Sequence, residues 1–439
     1  MKAKLWSILC LLVLSTSLAA QTWSGVYVGG HIRRQRPSTI TKLKESGFTY
    51  VLLFNVSVET DGTLTSDGET ICKGGKYVWA ETQPYYVEDI RSLKEPPTAI
   101  NRIDIVIGGW GNESYSRIRD IINANPGDKL KRTDLYRNFE ALKEAIPEID
   151  GVNNDDEHCY DLATAVQFHT MMFDLGYKTT LAPYMWKAFW EGLANQLNQN
   201  RSGACDHILI QCYDGGAYNN PSDWHIGNIP LLAGRTNYQS DMQTSLDQME
   251  AWRDGCNVVG GFVWVYNDES WNLKNWASGM NRIFAANVKG VARVYATRGK
   301  KGYSVSLPVG RYTAGQLTAY GIAETGTGNN YREISSIELE EGYQLTAYYQ
   351  GDFTGVNATW QASSDDLGAR WRNRIASLVV EPIPTGIAAT IQNTCNDYEV
   401  YDMAGRRLKQ AGSEDALQSL PRGTYVVRHA GTSHVVVWP

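Results

Sequence analysis

The sequence has no basic excess: 41 Lys and Arg stand against 47 Asp and Glu, a formal charge of −6. An electrostatic nucleic-acid binder needs the opposite balance, so nucleic acid is not an expected partner. Cysteine is sparse, with 7 in 439 residues, and no two have the CxxC spacing of a metal site. Spread this widely they form no disulfide scaffold, and they read as structural or free thiols. Beyond the first residues no stretch reaches the roughly 18 apolar positions of a helical membrane span. Apolar content is not lacking: 43% of residues are hydrophobic and 20% charged. That excludes a disordered chain.

What is present points to an exported protein of several domains. A length of 439 residues exceeds the roughly 250–300 at which single cores stop growing, so two or three domains are expected. Residues 1–20 read as a secretory signal peptide. Met1-Lys2-Ala3-Lys4 is positive, Leu5 to Leu14 is apolar, and Ser17-Leu18-Ala19-Ala20 offers small residues for cleavage. Cys10 lies inside the apolar run, which argues against a lipoprotein anchor. Six cysteines remain after cleavage, at 72, 159, 205, 212, 256 and 395. The mature chain is expected to be secreted or attached to the outer surface, with no transmembrane segment. Its 14 Trp and 25 Tyr suit ring-shaped ligands, and equally a tyrosine-rich core.

Residues 22–288 alternate short β-rich runs with helical patterns. Strands are expected at 23–30, 50–58, 103–109, 149–155, 178–182, 207–213, 229–233 and 260–266. Helices are expected at 38–46, 134–146, 161–175, 187–198 and 241–254. Repeated strand–helix units over this length predict an α/β fold, a (β/α)8 TIM barrel, with chemistry at the C-terminal strand ends. The informative strand is the fourth. Side chains alternate with period two, so Gly151, Asn153, Asp155 and Glu157 share one face. Pointed inward, Glu157 at the rim can protonate a leaving oxygen, and Asp155 below it raises the acid's pKa by like-charge repulsion. A solvated acidic turn would have the same composition; the even spacing on a barrel strand favours the functional reading.

Asp150-Gly151-x-Asn153-x-Asp155-x-Glu157 resembles the DGxDxDxE signature of glycoside hydrolase family 18, the chitinases and endo-β-N-acetylglucosaminidases. Other landmarks follow in order. Ile107-Gly108-Gly109-Trp110 resembles the SxGG segment, with Val106 where the family has Ser. Gln211-Cys212-Tyr213-Asp214 resembles the sixth-strand QxY motif, and Gly260-Gly261-Phe262-Val263-Trp264 the eighth-strand end with its floor tryptophan. The resemblance implies substrate-assisted retaining hydrolysis of β-1,4 bonds next to N-acetylglucosamine, in chitin oligomers or N-glycan cores, without a cofactor. It makes Glu157 the general acid, Asp155 the group orienting the acetamido N–H, and Tyr213 the donor to the acetamido oxygen. Asn153, Trp264, Tyr27, Gln211, Asp214, Trp110 and Tyr184 become substrate-binding candidates. Trp79, Trp186, Tyr218 and Trp224 are further aromatics near strand ends, of which half or fewer are expected to touch sugar. Asn153 departs from the family's inner Asp: it can hydrogen-bond Asp155 but cannot share a proton with it. Asn154 stands where an aromatic is usual. Only 25 residues separate Gly234 from Gly260, so the groove-deepening insertion of many chitinases is absent. A non-hydrolytic, lectin-like family 18 barrel and a surface adhesin are the competing readings.

Residues 290–381 hold two similar halves of short β-runs. Tyr348, Phe353 and Gly355 have the Y-x4-F-x-G spacing of a Greek-key hairpin, and Tyr295 to Gly302 repeats the seven-residue step. This resembles a βγ-crystallin-like sandwich. The stretches where such domains bind calcium here read Tyr331-Arg332-Glu333-Ile334-Ser335-Ser336 and Arg372-Asn373-Arg374-Ile375-Ala376-Ser377. Arg372, Tyr331 and Arg332 are poor hard-oxygen ligands and Ala376 lacks a hydroxyl, which argues against tight calcium. A proline-bearing linker follows. In residues 386–439, Val400-Tyr401-Asp402-Met403-Ala404-Gly405-Arg406, Leu420-Pro421-Arg422-Gly423-Thr424-Tyr425 and a closing Val435-Val436-Val437 look like the C-terminal sorting domain of type IX secretion. As physics it is a small β-sandwich; as a signal it implies the type IX secretion machinery as a partner.

Overall fold

The computed structural model describes residues 22–96, 98–268, 270–286, 288–322, 333–383, 398–402, 406–411, 423–429 and 432–438. The expected signal peptide, Cys395, Tyr331 and Arg332, and Leu420 to Arg422 lie outside the described residues.

Eight parallel strands form the first domain: β1 (Trp23–Val28), β2 (Tyr50–Val58), β3 (Arg102–Gly108), β4 (Gly151–Asp155), β5 (Lys178–Leu181), β6 (Cys205–Gln211), β7 (Leu231–Thr236) and β8 (Gly260–Tyr266). Each pairs with its sequence neighbour, and β1 also pairs with β8, so the sheet closes into a barrel. The β3 strand is buried along its whole length, which is why it reads as a continuous apolar run. The five expected helices are present, at Ser38–Ser46, Asp134–Ala145, Leu162–Asp174, Lys187–Asn200 and Met242–Cys256. Three of them start at a side-chain cap, from Thr133, Asp161 and Asp241.

Three longer helices were not expected: Tyr86–Lys94, Ser114–Ala124 and Leu273–Ala285. Their apolar residues recur at helical spacing, as Ile118 and Ile122 do, so the amphipathic pattern was present in the sequence and was passed over. An unexpected β-hairpin, Leu64–Ser66 with Glu69–Lys73, extends antiparallel from β2. It packs over the helix Asp134–Ala145, with Gly75 N–H donating to Asn138 Oδ1 at 2.8 Å.

At its N-terminal end the barrel interior holds a chain of charges. Arg102 Nε donates to Asp104 Oδ1 at 2.6 Å, and its Nη1 donates to Asp206 Oδ2 at 2.9 Å. Tyr50 Oη donates to Asp104 Oδ2 at 2.6 Å, and Thr180 Oγ1 donates to the same oxygen at 3.1 Å. Every buried charge here has an opposite charge beside it, as a low-dielectric interior demands.

The second domain is two antiparallel sheets around one core. The first orders Lys301–Leu307, Ala292–Thr297 and Ser336–Leu339; the second orders Gly310–Tyr312, Ser377–Pro382, Tyr343–Tyr348 and Asn357–Trp360. The two halves exchange strands. Gly310–Tyr312 of the first half pairs with Ser377–Pro382 of the second, and Ser364 of the second bridges to Ile337 of the first. At the hairpin corners Lys300 and Gly302 have φ of +56° and +73°, while Phe353 and Gly355 have +64° and +77°. The same backbone device therefore recurs at the same seven-residue step. Tyr348 meets Phe353 edge-on at 6.0 Å.

This domain docks on the barrel face from which the strands start. Asn281 Nδ2 donates to Gly47 O at 2.8 Å and to Thr318 O at 3.1 Å, and Thr22 Oγ1 donates to Ala319 O. Arg282 pairs with Glu333 at 2.9 Å. Gly315 packs so closely on Thr98 that a Cβ would stand 1.6 Å from its carbonyl oxygen. Thr22, Gly47 and Thr98 precede β1, β2 and β3, so this domain does not cover the opposite face, where β4 ends.

Residues 382–439 form a separate unit. Its described residues make one antiparallel sheet in the order Arg407–Ala411, Tyr398–Tyr401, Gly423–His429, Thr432–Trp438. The second layer of the expected sandwich is not found among the described residues. Cys72, Cys159, Cys205, Cys212 and Cys256 are unpaired. No helix among the described residues is long and apolar enough to cross a membrane.

Candidate active site

The alternation of β4 is as the spacing requires. Asn153 and Asp155 face the barrel interior, and Asn154 turns to the helical shell, where its Nδ2 donates to His169 Nε2 at 2.9 Å. Burial drops the His169 pKa to about 3, so the ring is neutral and its Nδ1–H donates to Thr179 Oγ1 at 3.0 Å. Asn154 Oδ1 accepts the Asp156 N–H at 2.9 Å. The Asp156 carboxylate then accepts the N–H groups of His158, Cys159 and Tyr160 at 3.1, 2.8 and 2.8 Å. This side-chain turn fixes the bend that carries Glu157 at the barrel mouth.

Asp155 is buried, and Gln211 Nε2 donates to its Oδ1 at 2.9 Å. Burial, and then the Glu157 charge, push the Asp155 carboxyl well above the usual carboxylate range. The Glu157 carboxyl is raised too, by burial first; Asp156 and Asp214 add to the rise and the Gln211 amide opposes it. Neither acid has an ion-pair partner among the described residues. The arrangement can hold a proton at the mouth under conditions where exposed acids have lost theirs.

Two glycines make room for this geometry. Gly108 and Gly109 have φ of +111° and +97°, and Gly109 N–H donates to Asp155 O at 2.7 Å. A Cβ on Gly108 would stand 2.1 Å from that oxygen, and one on Gly109 would stand 2.9 Å from Phe54 Cζ.

The other sequence candidates divide into three groups. Tyr27, Tyr213 and Trp264 belong to the aromatic packing inside the barrel with Phe262 and Phe54. Trp264 meets Tyr27 at 5.2 Å and Phe54 at 4.7 Å, both edge-on. The Tyr213 hydroxyl has no hydrogen-bond partner among the described residues, and burial pushes its pKa well up, with Tyr27, Asp155 and Glu157 adding to the rise. Asn153 is fully buried below this layer: Tyr27 Oη donates to its Oδ1 at 2.9 Å and its Nδ2 donates to Thr180 Oγ1 at 2.9 Å. The expected bond from Asn153 to Asp155 is thus not made. Both amide ends are engaged elsewhere, and Gln211 supplies the donor to Asp155.

At the rim, Asp214 is exposed and held by Tyr238 Oη and by Gln239 Nε2 at 2.7 Å. Tyr184 lies half-buried over Gly215. Trp110, Trp186 and Tyr218 are exposed. Trp79 and Trp224 are not at the site surface: both are buried, Trp79 with its Nε1 donating to Glu69 at 2.8 Å and the Arg33 guanidinium over its ring.

Sequence reasoning missed Phe54, Thr180, Tyr238 and the turn-forming role of Asp156. An acid followed by free backbone N–H groups was the signal for the last. It also missed a groove of about 740 Å³ running from Glu157 along Tyr160, Met185, Trp186 and Phe189.

No protein-family model and no curated protein matches this chain. Solved structures do. A βγ-crystallin domain from Flavobacterium johnsoniae matches at 25% identity over 22% of this chain and 99% of that one, with a TM-score of 0.20. The N-terminal domain of Protein S matches at 30% identity over 21% and 97%, with a TM-score of 0.18. A βγ-crystallin domain from Clostridium beijerinckii matches at 23% identity over 20% and 95%, with a TM-score of 0.19.

Proposed function

We propose that the chain is an exported glycoside hydrolase of the family 18 type, cleaving β-1,4 bonds next to N-acetylglucosamine by substrate-assisted retention. One observation carries the reading. Asp155 and Glu157 lie together at the C-terminal end of a parallel barrel with raised pKa values and no ion-pair partner among the described residues. Buried acids that stabilise a fold are paired, as Asp104 is with Arg102. An unpaired acid couple is kept for proton transfer.

In this reading Glu157 protonates the glycosidic oxygen while the sugar's own acetamido carbonyl attacks the anomeric carbon. Asp155 accepts the acetamido N–H and balances the positive charge that develops. Tyr213 donates its free hydroxyl to the acetamido oxygen, holding the internal nucleophile in line. Trp264 gives the sugar an apolar floor, and the rim aromatics stack on further rings. Glu157 then takes a proton from the water that opens the oxazolinium ion. The residues 386–439 serve as the type IX sorting signal, and the second domain as a βγ-crystallin-like accessory.

The test sets Glu157→Gln beside the parent chain on chitooligosaccharides and on high-mannose and complex N-glycoproteins. Turnover by the parent, lost in the variant with sugar binding retained, supports the acid role. Binding by both without turnover by either favours the lectin-like reading instead.

A further inference from the structure

The second domain carries an open cleft of about 970 Å³ that the proposed hydrolysis does not use. It is lined from the turn at Ala296 to Lys301, from Ser335, and from the segment between Asp366 and Arg374. Four cations, Arg298, Lys301, Arg372 and Arg374, face it against one carboxylate, Asp366. That carboxylate is shared: Arg372 Nε lies 3.2 Å from Oδ1, and Arg298 Nη1 3.8 Å from Oδ2. Lys301 and Arg374 have no acidic partner among the described residues. Arg372 Nε is buried and makes no aligned hydrogen bond. Neutral polar groups complete the wall, with Ser335 Oγ donating to Asn373 Oδ1 at 2.8 Å. Asn373 sits in the left-handed region at φ +57°, in the turn between the two arginines.

In a chain of net charge −6, a concave site lined by four cations and one carboxylate is not a solvated face. Guanidinium groups match tetrahedral oxyanions through paired N–H donors, and a lysine adds a point charge. We infer that this cleft binds a sulfate or phosphate ester carried on a sugar-sized molecule, with Arg374 and Lys301 as the principal contacts. The volume exceeds what a bare oxyanion fills, so the hydroxyl and amide wall contacts the carrier. The inference is independent of the barrel chemistry.

Isothermal titration of the full chain tests it, with glucose 6-phosphate, glucose 6-sulfate, inorganic phosphate, sodium sulfate and neutral glucose as probes. Glucose probes lack the 2-acetamido group, so the barrel mouth does not confuse the result. Saturable binding of the esters at low salt, absent for glucose, is expected. The inorganic ions separate the group from its carrier: binding weaker than the esters supports contact with the carrier, and binding equal to the esters would overturn that contact. Losing one charged hydrogen bond of about 1.5–3 kcal/mol converts to roughly 10–150-fold in affinity, so Arg374→Ala and Lys301→Ala should each weaken binding by at least about 10-fold. Both side chains are exposed, so folding should survive, and a thermal melt checks it. Glu157→Gln should leave ester binding unchanged. No saturable binding of any oxyanion probe at low ionic strength would overturn the inference, as would equal binding by the Arg374→Ala, Lys301→Ala double variant.

Discussion

The two ends of the barrel handle buried acids in opposite ways. At the closed end Asp104 and Asp206 share Arg102. Burial raises the Asp104 carboxyl against the pull of Arg102. Burial also acts to raise Asp206, but the His207 hydrogen bond and the Arg102 charge outweigh it and hold that acid low. At the open end Asp155 has an amide, Gln211, where Asp104 has a guanidinium. The same eight strands thus provide one acid cluster that is neutralised and one that is left strained. Charge compensation marks structure, and its absence marks the place kept for chemistry.

The largest effect that separates the two ends is catalytic. Glu157→Gln should cut kcat on chitooligosaccharides by about 10²–10⁴-fold, the range of general acid catalysis, with the fold intact by circular dichroism. Breaking the other end should do the reverse. Arg102→Met leaves Asp104 buried without its partner and should cost about 3–5 kcal/mol in urea unfolding, with little change in kcat per folded molecule. Gly109→Ala should cost about 1–2 kcal/mol from its left-handed backbone alone, and activity should fall further as the added methyl crowds Phe54 and stands 3.6 Å from Asp155 Oδ2. The smallest effect is on pH dependence. Asp155 binds its proton more tightly folded than unfolded, so stability falls as pH rises from the unfolded carboxylate range through the raised folded value. Asp155→Asn should flatten that fall and melt higher than the parent at neutral pH; an unchanged slope would place the strain elsewhere.

Much of the barrel was legible in the sequence because fully buried parallel strands leave short, β-branched apolar runs such as Ile103-Asp104-Ile105-Val106-Ile107, which alternate regularly with helical stretches. The helix Leu273–Ala285 was passed over although its apolar residues keep helical spacing; only Asn281 places a polar group on its buried face. Asn281 and Arg282 reach the second domain, a contact that only the tertiary structure defines. At the site, period-two alternation was enough to put Asn153 and Asp155 on one wall. It could not tell that Asn153 would spend both amide ends on Tyr27 and Thr180, because those partners come from β1 and β5. Trp79 and Trp224 looked like sugar platforms for a related reason: sequence gives proximity to a strand end, not the side to which a ring turns.

The strand exchange in the second domain makes its two repeats inseparable. A fragment cut after residue 340 would strip Gly310–Tyr312 of its ladder partner Ser377–Pro382. The same cut would split the cationic cleft, whose wall draws on residues 296–301 and 366–374. Proteolysis between the halves should therefore abolish whatever that cleft retains, even though no bond inside the barrel is touched.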